Sequence, residues 1–574
     1  MIKAYIEKLI RTALPPDVDA DVSFVVERPR EASHGDFSSN IALVLAKRLK
    51  NNPLQIAQDL AVRIQERDAK KYFAQVEAVR PGFINLRLST DCLRQVVGQV
   101  LRAADKFGTS DLGAGKKVVL EYSSPNTNKA LHIGHFRNDT VGLAVRNLLA
   151  SVGYEVVLTS LFNDRGQHIC KAMLMYQKFG HGQTPASAQL KGDHFVGSFY
   201  ARYEKELEKD PSLSDQVAQM LIKWEAGDPA VRALWKKLTA WVEEGFEQTY
   251  QREGTRFDDR IYESEIYQKG KEIVERYLRQ GIFTKKPDGQ VVVDLSKFGL
   301  GEKVLLRSDG TSIYITQDVY LGEAREKKYH PDQMLYCVGI DQRYHFQVLF
   351  AIYQLIGYQF AHRSHHLAYG YIFLGREKMS SRKGNVVSTD TFIDEMTEKA
   401  RAVMRQSKIQ VSQSDEAATA GHIALAAMKY GILRYELQKD IHFDPEITIQ
   451  MTGDTGPYIQ YTYARIQGIV RKSGLDKIDK SGTALSKPEE LDLLRRLNRY
   501  PEIVEKAALS YSPNLLAEFL GDLSRSYNAF YNAWSVLKAE TEALKQGRLG
   551  LCAATAQVLK NGLKILGIAV LEKM

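Results

Sequence analysis

His132 and His135 stand three apart in "ALHIGHFRND", residues 130 to 139, with Gly134 between them. Two imidazoles at that spacing can ligate a metal, move a proton, hold a phosphate or cap a helix. A metal would want further Cys, His or carboxylate ligands at matching spacing, and no HEXXH is present. For an isolated pair, capping is the plainest reading. The context favours an anion: the rings follow a short apolar strand and "SSPNTNKAL", which bring them to a helix N-terminus. Unpaired N–H groups and the helix dipole attract negative charge there. Gly134 leaves room for a flat base or a phosphate to approach the backbone. No GxxxxGK[ST] loop is present, since Gly113 is followed by Ala114, and no GxGxxG follows the strand. A bound nucleotide must therefore be held by other means. A second stretch, "KMSSRKG" at residues 378 to 384, places Lys378, Arg382 and Lys383 around Met379, Ser380 and Ser381. Alone, it reads as a solvated loop.

The surrounding elements say what positions these groups. "VVLEYSS" from Val118 reads as a buried strand, and the stretch after His132 puts Val141, Val145, Leu148 and Leu149 on one helical face. "YEVVLTSLF" follows as a second strand. Strand, helix, strand is a βαβ unit, which implies a parallel sheet with ligands at the carboxyl ends of its strands. Residues of about 165 to 285 are charged and helix-prone, with Trp224, Trp235 and Trp241 clustered, as an insertion would be. A third strand, "QMLYCVGIDQ" from Gln333, leads into a helix near His345. Upstream, residues 1 to 112 combine amphipathic helices with the alternating "AVRPGFINLRL", a small α+β domain ending in the Gly-rich "KFGTSDLGAGKK". The catalytic part is expected over 113 to 391. From 392 to 574 only helical periodicity is visible.

The chain's 574 residues, 44% hydrophobic and 26% charged, suit a folded multidomain protein. The most apolar stretch, from Phe346, is short and carries three Gln, which argues against a membrane span. Glu7 and Lys8 within the N-terminal apolar pattern suit an amphipathic helix and not a secretory signal. An intracellular protein is expected. Four separated cysteines form neither a disulfide framework nor a zinc ribbon. A net charge of +9 is compatible with a polyanionic partner.

His132-Ile-Gly-His135 and "KMSSRKG" on one α/β domain together resemble the HIGH and KMSKS elements of class I aminoacyl-tRNA synthetases. That resemblance implies that His132, Gly134, His135, Lys378, Met379, Ser380, Ser381 and Arg382 contact ATP, with His132, His135 and Lys378 stabilising charge at the α-phosphorus. Ser381 stands where the family's loop has its second lysine, so that cation falls to Arg382, Lys383 or Lys378. For the amino acid, a guanidinium needs a carboxylate with neighbouring acceptors in a plane. "SIYITQDV" offers Tyr314 and Asp318 four apart, "GIDQRYHF" offers Asp341, Gln342 and His345, and Glu121 and Asn126 precede His132. With "GDFSSNIA", "RPGFIN", "DQRYHF" and "TGPYIQYTYAR", the pattern resembles the arginyl-tRNA synthetases over nearly the whole chain. It implies an arginine site of Glu121, Ser123, Asn126, Tyr314, Asp318 and Gln342, and anticodon stacking by Tyr458 and Tyr461. The expected fold is a Rossmann-like class I catalytic domain with a helical insertion, an N-terminal α+β domain and an all-α anticodon-binding bundle. ATP, Mg2+ accompanying ATP, L-arginine and tRNA(Arg) are the expected ligands, with no protein-bound structural metal, in a cytoplasmic monomer whose arginine activation depends on tRNA.

Overall fold

The computed structural model describes residues 2–16, 18, 21–29, 31–311, 313–374, 387–407, 412–474 and 482–574. The basic stretch 378–384 lies outside them. The chain forms two compact units, one of Met1–Phe107, Ile466–Tyr500 and Arg525–Val558, the other of Gly108–Arg465, Pro501–Ser524 and Leu559–Met574. Gly456–Lys472, Pro488–Leu509, Pro513–Ala533 and Glu542–Ile565 are long helices, each with residues in both units.

In the first unit a four-stranded antiparallel sheet runs in the order Val26–Glu27, Phe37–Ser39, Phe83–Leu88, Phe73–Val79. The stretch read as alternating around a Pro-Gly turn is the end of one strand, a turn at Pro81-Gly82 and a second strand paired with the first. Ile6, Leu45, Leu60, Ile64, Ile84 and Leu86 form a core between the sheet and its helices. The later helices join it: Arg94 Nε donates to the Leu485 carbonyl at 2.8 Å, Phe107 stacks on Tyr500, and Gln557 donates to Asp105. Arg548 and Glu490 form an ion pair there that is almost wholly buried.

The second unit holds a five-stranded sheet, parallel throughout, in the order Ser364–Tyr369, Gln333–Gly339, Lys117–Glu121, Glu155–Phe162, Asp259–Tyr262. The chain leaves the central strand Lys117–Glu121 towards one neighbour, Glu155–Phe162, and only much later fills the other side with Gln333–Gly339. That reversal of strand order opens a crevice at the carboxyl ends. The insertion is helical around Tyr176, Phe195, Phe199, Trp224 and Phe246, but it also contains the edge strand Asp259–Tyr262. Four residues, "DRIY", are too few to show a period. For the same reason the strand Ile441–Phe443, which pairs in parallel with Ile372–Leu374, is invisible within a segment that reads as helical. The helix Ile133–Ser151 is buried nearly all round, Arg137 and Asp139 included, because the sheet covers one side and the helices Thr389–Gln406 and Gln413–Leu433 the other. No helix among the described residues is long and apolar enough to cross a membrane.

Candidate active site

His132 is the N-cap of the helix Ile133–Ser151, in extended conformation at φ −124° and ψ 170°. Its Nδ1 accepts the Gly134 N–H at 3.1 Å, and Nδ1 of His135 accepts the His132 N–H at 3.0 Å. This is a capping box made by two imidazoles instead of a hydroxyl and a carboxylate. Capping and an anion-binding role therefore coexist. With both Nδ1 lone pairs engaged, each neutral ring carries its proton on Nε2 and presents a donor. Burial lowers His132 to about 4 and His135 well below 6.5, and the charge of Lys129 pushes both the same way. Both rings are neutral donors at pH 7. Gly134 is required: a Cβ there would lie 2.9 Å from Cε1 of the capping His132 ring.

Both flanks of the basic stretch are fastened beside this helix start. After it, Ser388 pairs with His132 as an antiparallel bridge, and the Thr389 N–H donates to the Leu131 carbonyl at 2.9 Å. Asp390, next along, is held by Lys191, Thr249 and Arg252. Before it, the strand Ile372–Leu374 is tied down by Arg137. That buried guanidinium donates Nη1 to the Tyr371 carbonyl at 2.7 Å and Nη2 to those of Leu437 at 2.9 Å and Lys439 at 2.7 Å.

Of the candidate amino-acid residues, Glu121 at the carboxyl end of the central strand and Asp318 both act on His345. Glu121 closes that strand and forms a buried ion pair with Arg325 at 2.5 Å, so one of its oxygens already faces a cation of the chain. Tyr314 and Asp318 lie one turn apart on the helix Tyr314–Tyr329, as their spacing predicts, with Tyr314 68% exposed. Asp318 Oδ2 is 2.6 Å from Nε2 of His345, and the charge of Glu121 also reaches that imidazole. Gln342 sits in the turn Ile340–Gln342 and donates to Asp341 at 3.2 Å. Asn126 bridges to Asn163 through the backbone on the loop after Glu121.

Ser123 departs from its expected role. It adopts φ 54°, which turns its hydroxyl into the interior against Tyr250 OH at 2.9 Å, while its N–H donates to Asn138 Oδ1 at 2.8 Å. The side chain is fully buried and offers nothing to the crevice. Tyr458 and Tyr461 are half-buried on the separate helix Gly456–Lys472, with the Arg465 guanidinium 4.7 Å from the Tyr461 ring centre.

Lys129 escapes sequence reasoning, although it stands three residues before His132. Burial lowers its own pKa, and its charge acts on His132, His135 and His168. Asp139 and Glu253 escape it too. They are buried carboxyls that act on one another: burial raises Asp139 to about 7 and Glu253 well above its usual range, the charge of Asp139 adding to the latter. A signal exists for the first of them, because "RND" is an odd run inside an apolar helix.

Comparison with known proteins accounts for each segment. Residues 1–88 match the profile of the arginyl tRNA synthetase N terminal domain, 96–444 that of the class I (R) tRNA synthetase catalytic domain, and 459–574 that of the DALR anticodon binding domain. The arginine–tRNA ligase of Treponema denticola is 38% identical over 96% of this chain and 94% of its own length. That of Flavobacterium psychrophilum is 40% identical over 87% of each. The solved arginyl-tRNA synthetase of Thermus thermophilus superposes with a TM-score of 0.81 at 27% identity, covering all of both chains. A catalytic profile spanning more than half the chain, relatives near 40% identity along almost its whole length and an imidazole pair at the sheet's switch point agree: this chain belongs to the arginyl-tRNA synthetase family.

Proposed function

We propose that the chain activates L-arginine with ATP and transfers it to tRNA(Arg). The arginine carboxylate attacks the α-phosphorus, pyrophosphate leaves, and the terminal ribose hydroxyl of the tRNA then takes the arginyl group, releasing AMP. The observation that carries this reading is the imidazole capping box: two neutral rings whose Nδ1 atoms are engaged by backbone N–H groups, leaving an Nε2–H donor on each at a helix N-terminus that follows the central strand. Such donors need no proton transfer, so positioning and charge stabilisation supply the rate. Lys129 adds a cation beside them. Lys378, Met379, Ser380, Ser381 and Arg382 are assigned the opposite side of ATP; their support is the sequence resemblance and the fastening of both flanks beside His132.

Asp318, with Tyr314 one turn away, binds the guanidinium; Glu121, Gln342 and Asn126 contact the rest of arginine. Tyr458 and Tyr461 stack on anticodon bases. Magnesium accompanies the nucleotide. Among the described residues the one His/Asp group with metal-like spacing, Asp193, His194 and Asp390, is already neutralised by Lys191 and Arg252 and is a structural ion network. We further assign a three-part organisation over 1–112, 113–391 and 392–574, tRNA-dependent activation, and a cytoplasmic monomer. Pyrophosphate exchange with each amino acid, with and without tRNA, tests the reading. Arginine alone should support exchange, and only with tRNA present; exchange driven by lysine or cysteine would reject it.

A further inference from the structure

Asp318 is not a bare carboxylate. Its Oδ2 meets Nε2 of His345, which stands at the start of the helix Arg343–Leu355, and both side chains are about one quarter exposed. Among the described residues no other side chain hydrogen-bonds that carboxylate. A guanidinium fork needs both a fixed plane and a full negative charge. A neutral imidazole supplies the first and leaves the second intact, whereas an imidazolium cancels it.

We propose that His345 is a positioning residue for arginine: its neutral Nε2–H fixes one oxygen of Asp318 and turns the other to the guanidinium, so that arginine and a second ring proton exclude each other. The proposal rests on the assignment of Asp318 to the guanidinium and adds a partner to it. Coupling of this kind is reciprocal, so arginine binding expels the proton that weakens it. Burial opposes protonation of His345, but the bond to Asp318, the charge of Asp318 and that of Glu121 outweigh it and hold the ring above its usual 6.5. The other groups around the pair are accounted for. Glu121 is neutralised by Arg325, and His366, from the strand Ser364–Tyr369, is pushed down by burial and stays neutral. Asp341 and Arg343 act on His366 with opposite signs. Glu263, from the helix Glu263–Arg279, senses Asp318 and is raised by burial to about 7, so it titrates in the same window.

The test is the arginine KM in tRNA-dependent exchange between pH 6 and 9, in the parent and in His345→Gln and His345→Ala, with the ATP KM measured alongside. In the parent, KM should fall as pH rises, approaching tenfold per pH unit below the histidine's pKa. Gln keeps a neutral donor at nearly the same place, so its KM should stay within roughly threefold of the parent's high-pH value and lose most of the slope. Ala should also lose most of the slope and hold KM roughly tenfold above the parent's high-pH value, about the worth of one hydrogen bond to a charged group. The ATP KM should not move. An equal slope in parent and Gln variant assigns the titration to Glu263 or elsewhere and overturns the proposal, as does an Ala variant that matches the parent at pH 9. A parent without arginine-dependent exchange overturns the activity reading, and an Asp318→Asn variant with an unchanged arginine KM overturns the underlying assignment, which separates those failures from a failure of His345 alone.

Discussion

A histidine that caps with one nitrogen and donates with the other can have its two jobs separated by substitution. Asn places an acceptor where Nδ1 of His132 lies and has nothing at Nε2. His132→Asn should therefore keep thermal stability within about 0.5 kcal/mol of the parent while slowing activation roughly 10²-fold, the usual cost of one transition-state donor. His132→Ala should lose the same rate and about 1 kcal/mol of stability besides. Melting curves and exchange rates on both variants check this, and an active Asn variant would reduce the imidazole to a cap. Asp318 carries the second residue-scale prediction. Asp318→Asn keeps the shape and the contact with His345 but removes the charge, and a charged pair broken on one side costs ~3 to 5 kcal/mol. A fall of roughly 10²- to 10³-fold in kcat/KM for arginine is expected, with ATP binding unchanged; a change below about threefold would leave Asp318 as a surface residue. The i, i+4 spacing of Tyr314 and Asp318 makes this pair legible. His345 is 27 residues further on another helix, and nothing local announces that contact. Nor does the sequence announce the left-handed φ of Ser123, which is why its hydroxyl is expected in the site and lies in the interior.

At the scale of elements, the helix Ile133–Ser151 joins the site to its surroundings. Its apolar face is readable from Val141, Val145, Leu148 and Leu149. The roles of its polar residues are not, because their partners come from Tyr371, Leu437 and Glu253, all more than 100 residues away. Asp139 has a pH consequence whose sign follows from the direction in which burial moves its carboxyl. A carboxyl raised in the folded state stabilises the fold fully below its unfolded pKa near 3.9, and that contribution is lost as pH rises towards 7. Asp139→Asn cannot ionise. Its melting temperature relative to the parent should therefore climb between pH 5 and pH 8, a tenfold difference in proton affinity between folded and unfolded chains being worth about 1.4 kcal/mol. Parallel pH profiles for the two proteins would mean that Asp139 is ionised throughout. Short strands set the lower limit of what a pattern can reveal: Asp259–Tyr262 and Ile441–Phe443 are placed by the sheet partners they find, with too few residues to alternate.

Across the whole molecule, the resemblance and the charge pattern indicate a nucleic-acid partner, and the compact units add where the contacts group. Tyr461→Ala and Tyr458→Ala should each raise the tRNA KM roughly 5- to 150-fold, the ~1 to 3 kcal/mol typical of a base stacked on an aromatic ring, with the ATP KM unchanged. Equal tRNA KM values in parent and variants would return both rings to packing. A separate domain is expected to end near residue 112, because residues 1 to 112 read as amphipathic helices and a strand closed by a Gly-rich stretch. The first unit also takes in 466–500 and 525–558, a grouping that no local pattern encodes. The consequence is one of timing. A ribosome adds ~5 to 20 residues per second, and roughly 360 residues separate Phe107 from Ile466. For about 20 to 70 seconds the sheet and the helix Thr90–Ala103 exist without the segments that Arg94, Asp105 and Phe107 bind. Throughout that interval the growing chain carries an uncovered face that only residues 466–500 and 525–558 will close.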